Sequence, residues 1–170
     1  MPSISAKRII TLLNLKPLEF EGGHFAETYR AKESIAQGAL PKRYQSRRPF
    51  GTAIYYLLTP GNFSALHRLK SDEVFHFYAG DPVELVLLKP KGRTARVVLG
   101  PDLAAGQRPQ ILVPRGVWQG ARLARGGKWA LLGTTVAPGF ERADFELGKR
   151  SVLTKNYPGN ASLINALTRK

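Results

Sequence analysis

The chain has 170 residues, of which 43% are hydrophobic and 22% charged, a composition typical of one globular domain with a sizeable core. No apolar run approaches the roughly 20 residues that a membrane-spanning helix needs, and the lack of cysteine excludes disulfides and thiolate metal ligands. Because 26 Lys and Arg oppose 12 Asp and Glu, the net charge is +14, a balance that attracts polyanions.

The first predicted element is a short helix. Ser3 or Ser5 can cap it, since a serine hydroxyl accepts a hydrogen bond from an unpaired amide of the first turn. An apolar pattern from Ile9 to Leu13 gives one helical face that ends near Asn14. The segment lacks the long apolar core and cleavage site of a signal peptide. We therefore expect a cytoplasmic protein that consists of a single domain over residues 1–170, with no membrane partner.

Short strands are predicted next, at intervals of about ten residues. The first covers 24–30, and a loop with a basic cluster is predicted over 34–49. The later strands are predicted over 52–58, 63–69, 73–78, 83–89, 94–99, 109–113, 117–123 and 128–136. Turn residues separate them, and this pattern predicts an antiparallel sandwich or barrel. After Gly148 the tail is predicted to be helical, in two pieces divided by Pro158-Gly159.

The segment Gly61–Gly80 contains two of the three histidines of the chain, together with Glu73. His67 and Glu73 belong to adjacent predicted strands, which can bring both side chains to one inward face, as a small metal or substrate site requires. Because side chains alternate along a strand, His76 faces away from Glu73 unless a bulge intervenes. The same alternation puts Phe75 and Phe77 on the face of Glu73.

A structural alternative stays open for this segment. Glu73 could form an ion pair with Arg68 or Lys70 at a barrel mouth, and His67 could be a packed polar residue, instead of facing a ligand. Aromatic residues with a polar tip are candidates for pocket walls, and these are Tyr29, Tyr55, Tyr56, Tyr78 and Trp118.

The spacing of Gly61, His67, Glu73 and Gly80 resembles the first motif of the cupin superfamily. The string PRGVWQ, 114–119, resembles the second motif. Further strings at 21–30, 52–58, 64–82, 113–123 and 136–148 are similar, in the same order, to the cupin-5 family, once described as a domain of unknown function. The resemblance implies a mainly β fold, the double-stranded β-helix or cupin jelly-roll barrel, here with an N-terminal helix and short C-terminal helices. It also implies a homodimer.

The resemblance implies metal ligands at four positions, of which this chain keeps two. His67 and Glu73 match, whereas Leu69 and Gln119 stand where the superfamily has histidines. Leu69 cannot coordinate a metal, and the neutral amide of Gln119 is a weaker ligand than imidazole. Since catalytic zinc sites have three good protein ligands, we expect no cofactor, with His67, Glu73 and Gln119 as weak candidates for a divalent metal.

Without a metal, the pocket can perform acid–base chemistry. His67 can exchange a proton near neutral pH and Glu73 can orient it, so both are candidate catalytic residues. The resemblance implies an epimerase- or isomerase-like enzyme acting on a sugar, sugar nucleotide or small keto compound, with a histidine as base and a tyrosine or similar group as acid. The candidate ligand-binding residues are Thr28, Arg30, Tyr56, Phe75, Phe77, Trp118 and Gln119.

Three other functions remain open. The pocket could bind a small anionic metabolite without turnover, and Arg30 could then hold a carboxylate or phosphate with two parallel hydrogen bonds. A metal-dependent cupin enzyme is the second. A nucleic-acid partner is the third, and only the net charge favours it, because no nucleic-acid-binding motif accompanies the basic residues.

Overall fold

A computed structural model describes residues 4–169 of the chain as two packed antiparallel sheets with helices at both ends. The helices are α1 (Ala6–Leu12), α2 (Arg150–Asn156) and α3 (Ala161–Ala166). The strands are β1 (Lys16–Pro17), β2 (His24–Arg30), β3 (Ser34–Ile35), β4 (Arg48–Pro49), β5 (Thr52–Leu58), β6 (Ser64–Leu69), β7 (Asp72–Gly80), β8 (Val83–Leu88), β9 (Thr94–Leu99), β10 (Gln110–Val113), β11 (Trp118–Leu123), β12 (Ala130–Ala137) and β13 (Phe145–Leu147).

The two sheets enclose the main core. The larger has the strand order β1-β2-β5-β12-β7-β10 and the smaller β13-β6-β11-β8-β9, while β3 pairs with β4 alone. This mainly β architecture, with an N-terminal helix and two short C-terminal helices, confirms the predicted fold class. Within residues 4–169, no helix is long and apolar enough to cross a membrane.

The predicted elements agree closely with the observed ones. Each of the nine predicted strands is present with its ends shifted by two residues at most. Ser5 caps α1, because its side chain accepts a hydrogen bond from the Arg8 amide at 3.2 Å, whereas Ser3 lies outside the described residues. The sequence patterns missed β1 and β13, and they missed the short β3–β4 pair inside the predicted loop.

The alternation predicted for β7 is also observed. Glu73 and Phe75 are buried, and Phe77 packs against the same core. His76 lies on the opposite face, where its Nε2 is 3.0 Å from the Thr135 hydroxyl. A bulge is present between Leu131 and Leu132, but it interrupts the pairing beyond Phe77 and does not turn His76 inward.

A buried ion pair joins the 34–49 segment to the segment before β13. The Arg48 guanidinium donates from Nε to Asp144 Oδ2 at 2.6 Å and from Nη2 to Asp144 Oδ1 at 2.7 Å, with both side chains almost fully buried. Nη1 donates to oxygens of Ser46 and Arg47. The pair thereby holds residues 140–147 against the open end of the barrel.

Removing the carboxylate should destabilise the fold strongly, because it leaves the Arg48 charge buried without a partner. We predict that Asp144→Ala lowers the free energy of unfolding by about 3–5 kcal/mol, measured by urea denaturation. Glu146→Ala is the matched control: Glu146 pairs with Arg68 in a largely exposed bridge, and its loss should cost at most about 1 kcal/mol. Equal losses in the two variants would contradict the assigned role of the buried pair.

Candidate functional site

The open end of the barrel contains a cavity of about 420 Å³. Its walls are mostly apolar, and four phenylalanines contribute to them. The apolar lining consists of Leu18, Phe20, Phe25, Ile54, Leu69, Val136, Phe140 and Phe145, and the polar lining of Glu21, Glu27, Arg30, Thr52, His67, Glu73, Thr134, Glu141 and Arg142. A cavity of this size, in which polar side chains converge between apolar walls, is typical of a small-molecule site.

His67, on β6, presents an unprotonated nitrogen to this cavity in its neutral form. Its Nδ1 lies 2.8 Å from the carbonyl oxygen of Ala65. A carbonyl oxygen can only accept, so Nδ1 carries the proton and Nε2 keeps a lone pair. The ring is only 2% exposed and stacks on Phe145 at 4.8 Å between ring centroids. His67 is therefore fixed in one tautomer and one orientation.

Glu21 is the nearest carboxylate to that nitrogen. Its Oε2 lies 3.9 Å from His67 Nε2, while its Oε1 accepts a hydrogen bond from the Ser64 hydroxyl at 2.7 Å. The turn that follows allows this approach, because Gly22 has φ +118° and a side chain there would collide with the Phe63 carbonyl. An imidazolium formed at His67 would face a carboxylate already held in place.

Glu73 is buried, whereas Glu21 is partly exposed. Its Oε2 accepts a hydrogen bond from Gln119 Nε2 at 2.6 Å, and Gln119 is the direct cross-strand neighbour of His67. Burial raises the pKa of Glu73 above its ordinary value of 4.5 and the Glu21 charge raises it further, while His67 and hydrogen bonds from Thr134 and Gln119 act in the opposite direction. The net effect is a raised pKa, so the Glu73 carboxyl holds its proton more strongly than an exposed glutamate does.

Two arginines lie at the rim of the cavity, and they differ in their ion pairing. Arg30 is held by Glu27 and Glu141, with its Nη2 2.8 Å from Glu27 Oε2 and its Nη1 3.0 Å from Glu141 Oε1. Arg142 stacks over the rings of Phe20 and Phe145, at 4.3 and 4.8 Å from the centroids, and it forms no ion pair with any residue between 4 and 169. Arg142 therefore has the more available guanidinium.

The other predicted ligand residues are distributed through the fold. Phe75 and Phe77 pack in the core beneath the cavity. The Tyr56 hydroxyl donates to the Gly22 carbonyl at 2.9 Å. Thr28 is exposed and bonds to the Ala53 carbonyl, and Trp118 packs beneath Arg68 outside the barrel. None of these five side chains lines the cavity described here.

The tyrosines considered as pocket walls lie elsewhere as well. Tyr29 and Tyr78 are about half exposed, and Tyr55 packs edge to face against Tyr78 at 6.0 Å. The alternative ion pairs of Glu73 are also absent from the described residues, since Arg68 pairs with Glu146 and Lys70 with Asp144.

Sequence reasoning missed the residues that loops bring to the site. Glu21 belongs to a string already matched to the cupin-5 pattern, and its position before two glycines was the available signal. Arg142 and Phe145 follow a Pro-Gly pair and show no strand alternation. Both lie in the matched string 136–148, but their contacts with Phe20 and His67 span more than 70 residues of sequence, so strand alternation alone does not place them in the site.

The polar residues of this site do not form a metal-binding group. Within residues 4–169, no three His, Asp or Glu side chains are grouped as metal ligands. The Gln119 nitrogen donates to Glu73, and the Gln119 Oε1 is buried without a hydrogen-bond partner among the described residues. Leu69 contributes an apolar wall. A cupin metal centre therefore fits these side chains poorly.

Comparisons with known proteins agree with this architecture. The family model described as Cupin_5, cupin superfamily (DUF985), matches residues 7–148. A crystal structure of a protein from Shewanella oneidensis is similar over 98% of this chain and 99% of its own, with 34% identity and a TM-score of 0.87. A hypothetical protein from Leishmania major is similar over 98% and 100%, with 30% identity and the same TM-score.

A third relative is an uncharacterised protein of Saccharomyces cerevisiae. It is 29% identical over 132 residues, which cover 73% of this chain and 66% of the yeast protein. The similarity therefore spans just under two thirds of that relative.

The raised pKa of Glu73 predicts a pH-dependent stability. Because the folded state binds this proton more tightly than the unfolded state, the free energy of unfolding should fall as the pH rises from 4.5 through the raised pKa. We expect Glu73→Gln to reduce that fall, with urea midpoints measured across this range. Glu33→Gln, at an exposed position, is the control and should follow the wild type. A Glu73→Gln profile parallel to wild type would contradict a raised pKa.

Proposed function

The chain belongs to the Cupin_5 family of the cupin superfamily, and from that premise we propose that its barrel cavity is a metal-independent active site of the epimerase or isomerase type. The substrate is a small carbonyl compound, such as a keto compound or a free sugar. The observation that carries the proposal is the fixed tautomer of His67, which directs a lone pair at Nε2 towards a cavity that also contains Glu73.

The proposed reaction is a proton transfer next to a carbonyl group. His67 Nε2 takes a proton from the carbon adjacent to the carbonyl, and protonated Glu73 gives its proton to the carbonyl oxygen, so an enol forms. Glu21 stabilises the imidazolium that results. Return of the proton to the other face of the same carbon, with the enol O–H proton returning to Glu73, gives an epimer. Where that carbon carries a hydroxyl group, the intermediate is an enediol, and protonation of the former carbonyl carbon while the Glu73 carboxylate takes the proton of that hydroxyl gives an isomer.

The charges around the cavity favour an uncharged substrate. Four of the 12 acidic residues of the chain line it, and the arginine expected to grip an anion, Arg30, is held by two of them. A sugar nucleotide would bring its diphosphate close to Glu27 and Glu141, which disfavours it by like-charge repulsion. The apolar walls, in turn, favour a small keto compound over a heavily hydroxylated one.

A non-catalytic binding module is the second candidate, and one observation favours it. Arg142 presents a guanidinium at the rim without an ion-pair partner among residues 4–169. It could hold the carboxylate of a small metabolite whose apolar part fills the cavity. In that case His67 would contribute only a hydrogen bond.

Isotope exchange separates the two candidates. We predict that the wild type catalyses exchange of the carbon-bound proton of small keto compounds in D₂O, followed by NMR, and that His67→Gln slows it by about 100-fold or more. His76→Gln is the matched control, because His76 lies on the outer face of the barrel.

Ligand binding without exchange would favour the binding module, and exchange that persists in His67→Gln would exclude His67 as the base. One stoichiometric metal ion found by elemental analysis would contradict the metal-independent mechanism.

We also propose a homodimer formed through the outer face of the larger sheet. Helix α1 covers one part of that face, around Leu57. The uncovered part has Tyr29, Tyr78 and Leu112, each more than half exposed, and the Tyr78 ring lies across Gly133, where a side chain would collide with it. A flat, partly aromatic surface of this kind is typical of protein interfaces.

Introducing a charge into this face should separate the subunits. We expect Leu112→Glu to convert a dimer into a monomer in analytical ultracentrifugation, because an unpaired carboxylate would be buried at the interface. Leu103→Glu changes an equally exposed leucine of a loop and should leave the dimer intact. A monomeric wild type, or a dimeric Leu112→Glu variant, would refute this interface.

A further inference from the structure

A second cavity, distinct from the barrel interior, lies on the outside of the segment before β13. It is an open groove of about 600 Å³. Its charged lining consists of Arg43, Arg68, Lys70, Arg115, Asp144 and Glu146. From the arrangement of these charges we propose that the groove binds the phosphate group of a small phosphorylated metabolite.

The carboxylates of the groove are already neutralised. Both oxygens of Asp144 accept hydrogen bonds from buried Arg48. Both oxygens of Glu146 accept from Arg68, at 2.8 and 3.0 Å, and the Arg68 guanidinium also lies over the Trp118 ring. In each ion pair the charge of the arginine offsets the charge of the carboxylate, which reduces the repulsion that the carboxylate exerts on an incoming anion.

Three cations remain after this pairing. The Arg43 guanidinium is oriented by a hydrogen bond from Nε to the Lys70 carbonyl at 3.0 Å, by one from Nη2 to the Tyr44 hydroxyl at 3.4 Å and by stacking over the Tyr44 ring. Its Nη1 has no hydrogen-bond partner among residues 4–169. Lys70 Nζ lies 3.8 Å from Asp144, a contact that Asp144 shares with the much closer Arg48. The Arg115 side chain makes no hydrogen bond or ion pair with residues 4–169, while its amide is held by Asp72.

This geometry fits a compact dianion better than a long polyanion. The three cations come from three separate segments and line the same cavity, an arrangement in which several donors can act on one phosphate. A nucleic-acid backbone would instead require cations along a stripe that matches successive phosphates. The high net charge of the chain can raise the local concentration of either anion. Only a compact anion, however, can be contacted by all three cations of the groove at once.

The groove is independent of the proposed acid–base site. Leu69 and Phe145 line both cavities and form the wall between them, while His67 and Glu73 line only the barrel interior. Loss of the proposed catalysis in His67→Gln should therefore leave phosphate binding unchanged. The two proposals can accordingly fail separately.

Isothermal titration with inorganic phosphate at constant ionic strength tests the groove. We expect Arg115→Ala to weaken phosphate binding by roughly tenfold or more, and Arg43→Lys to weaken it as well, since it keeps the charge but loses the guanidinium fork. Arg93→Ala is the matched control, because Arg93 is exposed in the turn between β8 and β9 and should bind phosphate like the wild type. Thermal melts establish that each variant is folded, and Lys70→Gln replaces any variant that is not.

Each alternative outcome would overturn the proposal. A wild type that does not bind phosphate at millimolar concentrations lacks the site. Equal weakening in Arg93→Ala and Arg115→Ala would mean that net charge alone attracts the anion. The same titration with a single-stranded oligonucleotide that lacks terminal phosphates identifies the source: if it displaces phosphate from the wild type but not from Arg115→Ala, the groove binds nucleic acid instead.

Discussion

The buried ion pair between Arg48 and Asp144 is the constraint on which both cavities of this barrel depend. It fixes residues 140–147, and this one segment supplies Phe140, Glu141, Arg142 and Phe145 to the barrel cavity. The outer side of the same segment forms part of the groove. Burying two charges contributes little net stability, since their attraction must first offset the loss of hydration. What the pair contributes is a defined position, because two hydrogen bonds join Arg48 to both oxygens of Asp144.

The barrel interior gives two carboxyl groups different environments within one small site. Glu21 sits at a glycine turn and accepts a hydrogen bond from a hydroxyl, close to His67. Glu73 is buried and accepts a hydrogen bond from Gln119, and burial raises its pKa. Such a difference lets one carboxylate stabilise positive charge while the other holds a proton for donation. The proposed roles of the two residues follow from this difference rather than from their residue type.

The sequence predicted the barrel well because its strands follow local rules. Alternation along β7 separated Glu73 from His76 correctly, since period two depends only on neighbouring residues. The same rule puts Tyr78 on the face of His76, which is inconsistent with a pocket wall, and the structure has Tyr78 outside. Glu21, Arg142 and Phe145 could not be assigned in this way, because they reach the site through turns and through contacts between distant segments. Three of the four wall phenylalanines, Phe20, Phe140 and Phe145, come from these segments and one, Phe25, from β2, while the tyrosines of the strands do not line the cavity.

The distribution of charge separates the two proposed ligands. The chain as a whole is strongly basic, so its long-range field draws anions towards the surface. At the barrel mouth the local charge has the opposite sign. Even without Glu73, the three other glutamates that line the cavity outnumber its two arginines. Anions attracted by the surface therefore meet repulsion at the cavity and convergent cations at the groove. Leu69 and Phe145 form the wall between a cavity that favours an uncharged ligand and a groove that favours an anion. A chain with this arrangement can admit an uncharged molecule to the barrel while an anion occupies the groove.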